Sequence, residues 1–454
     1  MAQRESWATR TGFILAAVGS AVGLGNIWRF PFATADGGGA AFLVMYLAFI
    51  ALIGFPAILA EFVIGRKAER NPVGALVAYG GNAWKYVGGI FVLIGVVLLS
   101  YYSVIAGWFI RYFLEGFRGS YASHLTSYNG DAQAMFFDIS FGMESVILHT
   151  VFMALTIGIV ALGIRQGIEL AVKVMVPALI VLLVGLAVWA FTLEGAGAGY
   201  SYYLSPEVGA ITANWTELLP AAAGQAFFTL SLGMGVMITY ASYLREDRNL
   251  AKDGVTIIGF DTGIAFLAGL VVFPVFFAGD IQPDEGGPLT IFVGMTEAFA
   301  NITGGQILGL VFFGTVVIGA LSSAISLLEV VTSYAIDEKG IERWKAATGV
   351  GVLIYLIGLP VTYDIIFLEV YDGFIDAVLL VFGALMVMVL VGWVAPKAAV
   401  DELEKGIGDL GTTAQAWVWA IRVPIIIVLV VSLYLGIVEY LDVLEAFSEW
   451  LSGN

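Results

Sequence analysis

A break inside the first long apolar segment constrains the fold of this chain more than any other feature. It is the run GSAVGLGNIWRFP at residues 19–31, which places three glycines, an amide and an arginine where lipid demands an uninterrupted helix. Non-helical backbone at membrane depth persists only where it is buried in protein or lines a water-filled cavity. A charged side chain at that depth indicates function. The first helix is therefore predicted to be broken around a polar site.

The rest of the chain has the composition of an all-α integral membrane protein. Hydrophobic residues make up 60% of it and charged residues only 12%, with a mean hydropathy of +0.93. Because the chain has no cysteine, disulfides and thiolate metal sites are excluded and the fold rests on helix packing. Eleven transmembrane helices are predicted from apolar runs long enough to cross a bilayer, at residues 11–34, 40–65, 86–115, 143–163, 169–193, 217–243, 254–279, 305–336, 346–363, 373–395 and 417–438.

The distribution of basic residues predicts the orientation. Lysine and arginine concentrate at the amino terminus and in alternate loops, which places the amino terminus in the cytoplasm. The protein is predicted to be a multi-pass protein of the plasma membrane. Because the number of spans is odd, the carboxyl terminus, with its acidic tail after Tyr440, is predicted to be extracellular. The formal net charge of −16 fits either an acidic surface or a high-salt habitat.

A second break predicts an internal repeat. The sixth span contains QAFFTLSLGMG at residues 225–235, so each break lies in the first helix of a five-helix block. Five is odd, so the second block enters the membrane from the opposite side, as in the inverted repeats of secondary transporters. The predicted units are residues 1–193, residues 194–395 and a last part, 396–454. The alternative is that these glycines only allow close helix packing.

The motifs around both breaks resemble the neurotransmitter:sodium symporter family, and within it the prokaryotic amino-acid-transporting branch. They are WATR at 7–10, GSAVGLGNIWRFPF from residue 19, DGGGAAF at 36–42, GQAFFTLSLGMG from residue 224, ITYASY at 238–243 and LSS at 321–323. The resemblance covers essentially the whole chain, which departs from the family pattern in lacking a twelfth helix. It implies the leucine-transporter fold, with broken helices 1 and 6 in a 5+5 inverted repeat, and sodium-coupled symport by alternating access.

The resemblance also implies where the substrate binds. Its carboxylate would meet backbone amides near Ala21 and Gly25, and its ammonium the carbonyl groups of the unwound sixth helix. Amine transporters of the family carry an aspartate where this chain keeps Gly23, which favours an amino acid as substrate. No charged group occurs in the implied pocket, so hydrophobic aliphatic and aromatic L-amino acids are expected. The implied substrate-binding residues are Ala21, Gly25, Leu98, Tyr102, Phe228, Thr229, Ser231, Met234, Ser323 and Leu327.

Two sodium ions are implied by the same resemblance. The first site would use Ala21, Asn26, Thr229 and the substrate carboxylate, and the second would use Gly19, Val22, Gly319, Ser322 and Ser323. Asp261, where the chain departs from the family, is expected as a further ligand of the first sodium ion. The leucine transporter has asparagine at the position aligned with Asp261, and chloride-dependent relatives need an anion nearby. A buried aspartate supplies that negative charge covalently, so chloride-independent transport is expected. The alternative is an aspartate near the cytoplasmic end that faces solvent.

Gates and supporting residues follow from the resemblance as well. An outer ion pair would join Arg29 to Asp372, although Asp376 lies one turn away. The inner gate would use the pair Arg4 and Asp337, with Trp7 as a plug and Tyr243 beside it. Glu61 and Gln225 are expected to support the broken helices, since a carboxylate this deep in a span indicates function.

The sequence also bears on other classes of protein. The chain has no dinucleotide fingerprint, no phosphate-binding loop and no HExxH, so an enzyme is not expected. A passive ion channel or a non-transporting amino-acid sensor could use the same scaffold. A monomer or weak dimer in a lipid bilayer is expected, with no nucleic-acid partner.

Overall fold

The protein is a bundle of long helices in its computed structural model, which describes residues 5–206, 209, 211, 215–283 and 289–452. Helices and turns make up this described part, and it contains no β-strand. Within it, nine continuous helices are long and apolar enough to cross a membrane. They are α3 (Ala40–Ala68), α4 (Asn82–Arg118), α5 (Met143–Ala161), α6 (Ile164–Ala190), α9 (Leu250–Ala278), α10 (Gly305–Lys339), α11 (Arg343–Thr362), α12 (Ile365–Val394) and α14 (Thr412–Ser452).

Two of the predicted spans are each divided into two helices. The first consists of α1 (Arg10–Ala21) and α2 (Gly25–Asp36), which meet at an angle of 44°. The sixth consists of α7 (Trp215–Thr229) and α8 (Val236–Ala241), joined by the turn at residues 230–235. The nine continuous helices and the bent pair α1 and α2 together give ten candidate spans among the described residues. The total of eleven spans therefore stays a prediction.

Several helices are longer than the sequence predicts, because polar residues cap or continue them. The predicted span 373–395 begins eight residues earlier, at Ile365, since the Asp364 side chain accepts a hydrogen bond from Ile366 N (3.0 Å). The predicted span 417–438 lies within the longer α14, which continues to Ser452. There the Trp450 ring lies 5.4 Å from that of Phe367, so α14 packs on the start of α12.

The broken helices lie in the middle of the bundle. The most extensive contact between helices joins α4 to α10, and α1 packs against α6, α9 and α10. Residues 16–24 and 226–235 are all buried, so protein encloses the end of α1 and the backbone of both breaks. The non-helical backbone at the breaks is therefore shielded from lipid. Below, the end that carries residues 5–9 is the inner end, and the opposite end is the outer end.

Candidate functional site

The first break is an extended segment between α1 and α2. Val22 has φ −83° and ψ 99°, so α1 ends there and its last carbonyl groups lack helical partners. Gly23 N donates to Asn26 Oδ1 (3.3 Å). A Cβ added at Gly23 would overlap Ser323 Oγ and lie 2.7 Å from Tyr102 Oη, so glycine alone allows α10 and α4 to approach this closely.

The second break uses left-handed backbone. Ser231 and Gly233 have φ of 53° and 75°, a conformation that costs glycine little and serine more. Glu61 Oε1 accepts a hydrogen bond from Gly233 N (2.7 Å). Gln225 Nε2 donates to the carbonyl oxygen of Gly25 (2.8 Å). Glu61 therefore contacts unwound backbone and replaces a lost helical hydrogen bond, whereas Gln225 joins α7 to the first residue of α2, beside the first break.

A small enclosed cavity of about 20 Å³ separates the two breaks. Every predicted substrate-binding residue lines it except Thr229, which lies beside it on α7. The lining also includes Ser20 and Ser326, which the sequence analysis missed. The lining residues are Ser20, Ala21, Gly25, Leu98, Tyr102, Phe228, Ser231, Met234, Ser323, Ser326 and Leu327.

The two missed serines form a polar side of the cavity. Ser20 Oγ lies 2.7 Å from Ser326 Oγ and 3.1 Å from Ser231 Oγ. Ser323 Oγ donates to the carbonyl oxygen of Ser20 (2.9 Å). The spacing of Ser326, three residues after Ser323 on one helix face, could have indicated it from the sequence. The hydroxyl groups bond to one another and leave no charge in the cavity.

The proposed first sodium site centres on Asp261, which is fully buried on α9. Asn26 Nδ2 donates to Asp261 Oδ1 (2.8 Å), and Thr229 Oγ1 lies 3.1 and 3.2 Å from the two carboxylate oxygens. No lysine, arginine or histidine of the described residues forms an ion pair with this carboxylate. A buried charge without a counter-charge is costly, and a bound cation would remove that cost.

The proposed second sodium site lies between α1 and α10. Ser322 Oγ lies 2.8 Å from the carbonyl oxygen of Gly319 and 3.3 Å from that of Val22. Ser323 Oγ lies 3.3 Å from the carbonyl oxygen of Gly19. The bond to Gly319 is an ordinary one within a helix. The contacts with Gly19 and Val22 cross between helices and bring together the hard oxygen atoms that a sodium ion requires.

An ion pair and an aromatic ring close the outer side of the cavity. Arg29 Nη2 pairs with Asp376, and Arg29 Nη1 lies 3.6 Å from Asp372 Oδ1. Asp372 also accepts a hydrogen bond from Tyr101 Oη (2.8 Å). The guanidinium carbon of Arg29 lies 4.7 Å from the ring centroid of Phe228. Of the two aspartates, the predicted partner Asp372 is thus the more distant.

Aromatic packing and ion pairs close the inner end. Trp7 is buried, donates from Nε1 to the carbonyl oxygen of Tyr240 (3.0 Å), and packs edge-on against Tyr243. Tyr243 Oη donates to Glu329 Oε1 (2.6 Å), and Arg343 pairs with Glu329 (2.7 Å). Tyr243 is a predicted gate residue, whereas Glu329 and Arg343 are not, although a carboxylate within the apolar span 305–336 indicates function.

The predicted inner pair is only partly described. Arg4 lies outside the described residues, and Asp337 Oδ2 accepts a hydrogen bond from Asn71 N (2.8 Å). The next residue along from Arg4 does contact the inner network, because Glu5 pairs with Arg343 (3.1 Å). Among the described residues, the inner closure therefore consists of residues 5–9 held against α6, α8 and α11.

Similarity to known proteins identifies the family. The model of the sodium:neurotransmitter symporter family matches residues 4–135 and 128–451. This chain belongs to that family. An uncharacterized sodium-dependent transporter of Bacillus subtilis (strain 168), YhdH, is 33% identical over 451 residues, which cover 96% of this chain and 98% of the relative. The crystal structure of MhsT in complex with L-phenylalanine matches with a TM-score of 0.84 and 37% identity, covering 96% of this chain and 100% of the other.

Membership confirms the family resemblance and the leucine-transporter fold predicted from the sequence. The symporter is a sodium-dependent, multi-pass membrane transporter and not an enzyme. Its relatives include an uncharacterized sodium-dependent transporter of Methanocaldococcus jannaschii, 34% identical over 416 residues that cover 86% of this chain and 82% of the relative. The family model matches the chain over both breaks.

Proposed function

We propose that this symporter carries hydrophobic L-amino acids with two sodium ions, without chloride, by alternating access. The observation that carries the proposal is the cavity between the breaks, whose lining includes Leu98, Phe228 and Met234 and no charged side chain. A charged substrate side chain would lie unpaired there. MhsT, which shares the fold, binds L-phenylalanine in its crystal structure, and this supports an amino-acid substrate.

The lining also favours an amino acid over a monoamine. A substrate with its own carboxylate can use the backbone amides of the first break and the Tyr102 hydroxyl. An aspartate in place of Gly23, which would serve an amine, has no room beside Ser323 and Tyr102. Asp261 supports chloride independence, because its carboxylate is already within hydrogen-bond distance of Asn26 and Thr229.

Alternating access is supported by the closure of both ends at once. The cavity of about 20 Å³ has room for roughly one water molecule. A leucine or phenylalanine therefore requires Phe228 to move and the backbone around Met234 to shift. We propose that the two units 1–193 and 194–395 move against each other, opening first the Arg29 side and then the Trp7 side.

Competition binding tests the substrate class directly. Purified protein should bind labelled leucine in sodium chloride but not in potassium chloride. Excess unlabelled aliphatic or aromatic amino acids should displace it, while glutamate and lysine should need about 100-fold higher concentrations. Displacement by lysine as effective as by leucine would contradict a cavity without charge.

A pair of variants tests whether the cavity is the site. Met234→Ala enlarges the cavity and should raise the affinity for tryptophan relative to leucine by about tenfold. Met295→Ala removes an equally buried methionine outside the cavity and should leave the ratio unchanged. An equal effect of both would place the site elsewhere.

Counterflow in proteoliposomes separates a carrier from a channel or a sensor, neither of which exchanges substrate.

A further inference from the structure

A surface groove of about 360 Å³ lies at the inner end of the bundle, away from the transport site. It separates the short helix α13 (Pro396–Glu404) from the first turns of α14. Its polar side chains lie one helical turn apart on each side, so each helix presents a single face to the groove. They are Lys397, Asp401 and Glu404 on α13, and Gln415, Trp419 and Arg422 on α14.

One end of the groove is cationic and aromatic. Arg422 Nε donates to the carbonyl oxygen of Gly392 (2.6 Å), and its guanidinium carbon lies 5.5 Å from the ring centroids of both Trp393 and Trp419. Each tryptophan is 59% exposed. Among the described residues, neither Arg422 nor Lys397 has a carboxylate within ion-pair distance. Their remaining N–H groups can therefore bind an anion flanked by the rings typical of a membrane interface.

The other end of the groove is acidic. Glu404 Oε1 accepts a hydrogen bond from Leu410 N (3.1 Å), and Asp409 Oδ1 accepts one from Gly411 N (2.9 Å). These carboxylates lie where α13 turns into α14. Arg422, in contrast, lies about 15 Å along the axis of α14 from its first residue. The cationic end is thus nearer the membrane interior and the acidic end nearer water.

We infer that the groove binds the head group of a phosphatidylethanolamine-type phospholipid. Arg422 and Lys397 receive the phosphate, and Asp401, Glu404 and Asp409 receive the primary ammonium. In such a lipid the phosphate follows the acyl chains and the ammonium comes last, which is the order of charges along the groove. A head group that is only anionic would meet three carboxylates. A choline head group has no N–H group to donate to them.

Native mass spectrometry of the detergent-purified full chain tests this with lipids of matched acyl chains. Phosphatidylethanolamine should bind the protein at about one tenth of the lipid concentration that phosphatidylcholine or phosphatidylglycerol requires. This ratio is expected for one charge-assisted hydrogen bond. Arg422→Gln should weaken the binding of all three lipids. Asp401→Asn, which changes an exposed side chain with no ion pair in the described structure, should remove only the preference for ethanolamine.

Matched controls keep the result interpretable. Lys345→Gln removes another cation that lies over a tryptophan ring, 5.5 Å from the ring centroid of Trp344, outside the groove, and should change nothing. Excess soluble phosphoethanolamine should not displace the lipid, because the acyl chains hold it. Displacement would mean that the head group alone is the ligand and would overturn the lipid assignment. Equal retention of the three lipids by the unmodified protein would overturn the proposal, as would an Asp401→Asn variant that keeps the preference.

Discussion

At the scale of single residues, Asp261 is a buried carboxylate that forms no ion pair with a lysine, arginine or histidine of the described part of the chain. Its partners are the amide of Asn26 and the hydroxyl of Thr229, which are both neutral. An ion pair with a lysine or an arginine would neutralise the carboxylate, which would then need no sodium ion. Because such a pair is missing among the described residues, the proposed sodium ion would neutralise the carboxylate and the carboxylate would take the place of chloride.

Asp261→Asn should therefore create a need for an external anion. Transport in chloride-free buffer should fall by about tenfold or more, because the sodium ions then lack a counter-charge, and added chloride should restore part of it. Uptake of labelled leucine in sodium gluconate and in sodium chloride measures this. Asp280→Asn makes the same change at an exposed position near the end of α9 and should have no effect. Identical uptake by the Asp261 variant in both salts would refute the hypothesis that the Asp261 carboxylate takes the place of chloride.

Gly23 gives a second test at this scale, because the space around it is fully used. An alanine methyl there would meet Ser323 and Tyr102, so Gly23→Ala should weaken sodium-dependent leucine binding by about 10- to 100-fold. Gly158→Ala adds the same methyl where no atom lies within 4 Å and should bind normally. Scintillation proximity binding measures both. Normal affinity of the Gly23 variant would mean that the break does not hold the substrate.

At the scale of helices, composition predicts what lies in the membrane better than where each helix ends. The apolar runs identify the spans, and the glycines with Asn26 and Arg29 identify the first break. Helix ends depend on single contacts such as the Asp364 cap, which hydropathy does not detect.

Contacts between helices were harder still to predict. Asp372 and Asp376 lie one turn apart on α12, so the sequence alone does not decide which of them is nearer to Arg29. At the inner end, Arg343 pairs with both Glu5 and Glu329. Because Glu5 is far from Arg343 along the chain, the sequence alone does not predict that they are in contact. The family resemblance supplied the cavity residues, because their positions come from aligned motifs rather than from spacing.

The inner plug can be tested with a single introduced thiol, since the chain has no cysteine. Ser333 is buried on α10, seven residues beyond the cavity-lining Ser326 and closer to the inner end. In a Ser333→Cys background, Trp7→Ala should speed labelling by a thiol reagent about tenfold, because it loosens residues 5–9. Trp344→Ala, at an exposed tryptophan, should leave the rate unchanged. Equal rates in all three proteins would show that Trp7 does not close the inner end.

At the scale of the whole molecule, both proposed sodium sites join the two predicted halves. The first takes Asn26 from residues 1–193 and takes Thr229 and Asp261 from residues 194–395. The second takes carbonyl oxygens of α1 and hydroxyl groups of α10. An ion at the first site therefore favours the arrangement in which α2, α7 and α9 are packed together, and an ion at the second site favours the one in which α1 and α10 are.

Sodium should consequently stabilise the folded protein. At a concentration about 100-fold above its dissociation constant, an ion contributes about 2.7 kcal/mol, which for a chain of this size corresponds to a rise in melting temperature of about 3 °C. Thermal unfolding in detergent, in sodium chloride against potassium chloride at equal ionic strength, measures the difference. Asn26→Ala removes a ligand of the first site and Ser322→Ala one of the second, so each should reduce the difference in part.

Asn82→Ala, at an exposed asparagine that begins α4, is the matched control and should retain the full difference. If both site variants also retained it, the stabilising ion would bind elsewhere. If the unmodified protein melted at the same temperature in both salts, sodium would not favour the packed arrangement, and coupling between ion and substrate would have to arise in another state of the cycle. A difference reduced by one variant only would assign the stabilisation to that site, because Asn26 on α2 and Ser322 on α10 belong to separate sites.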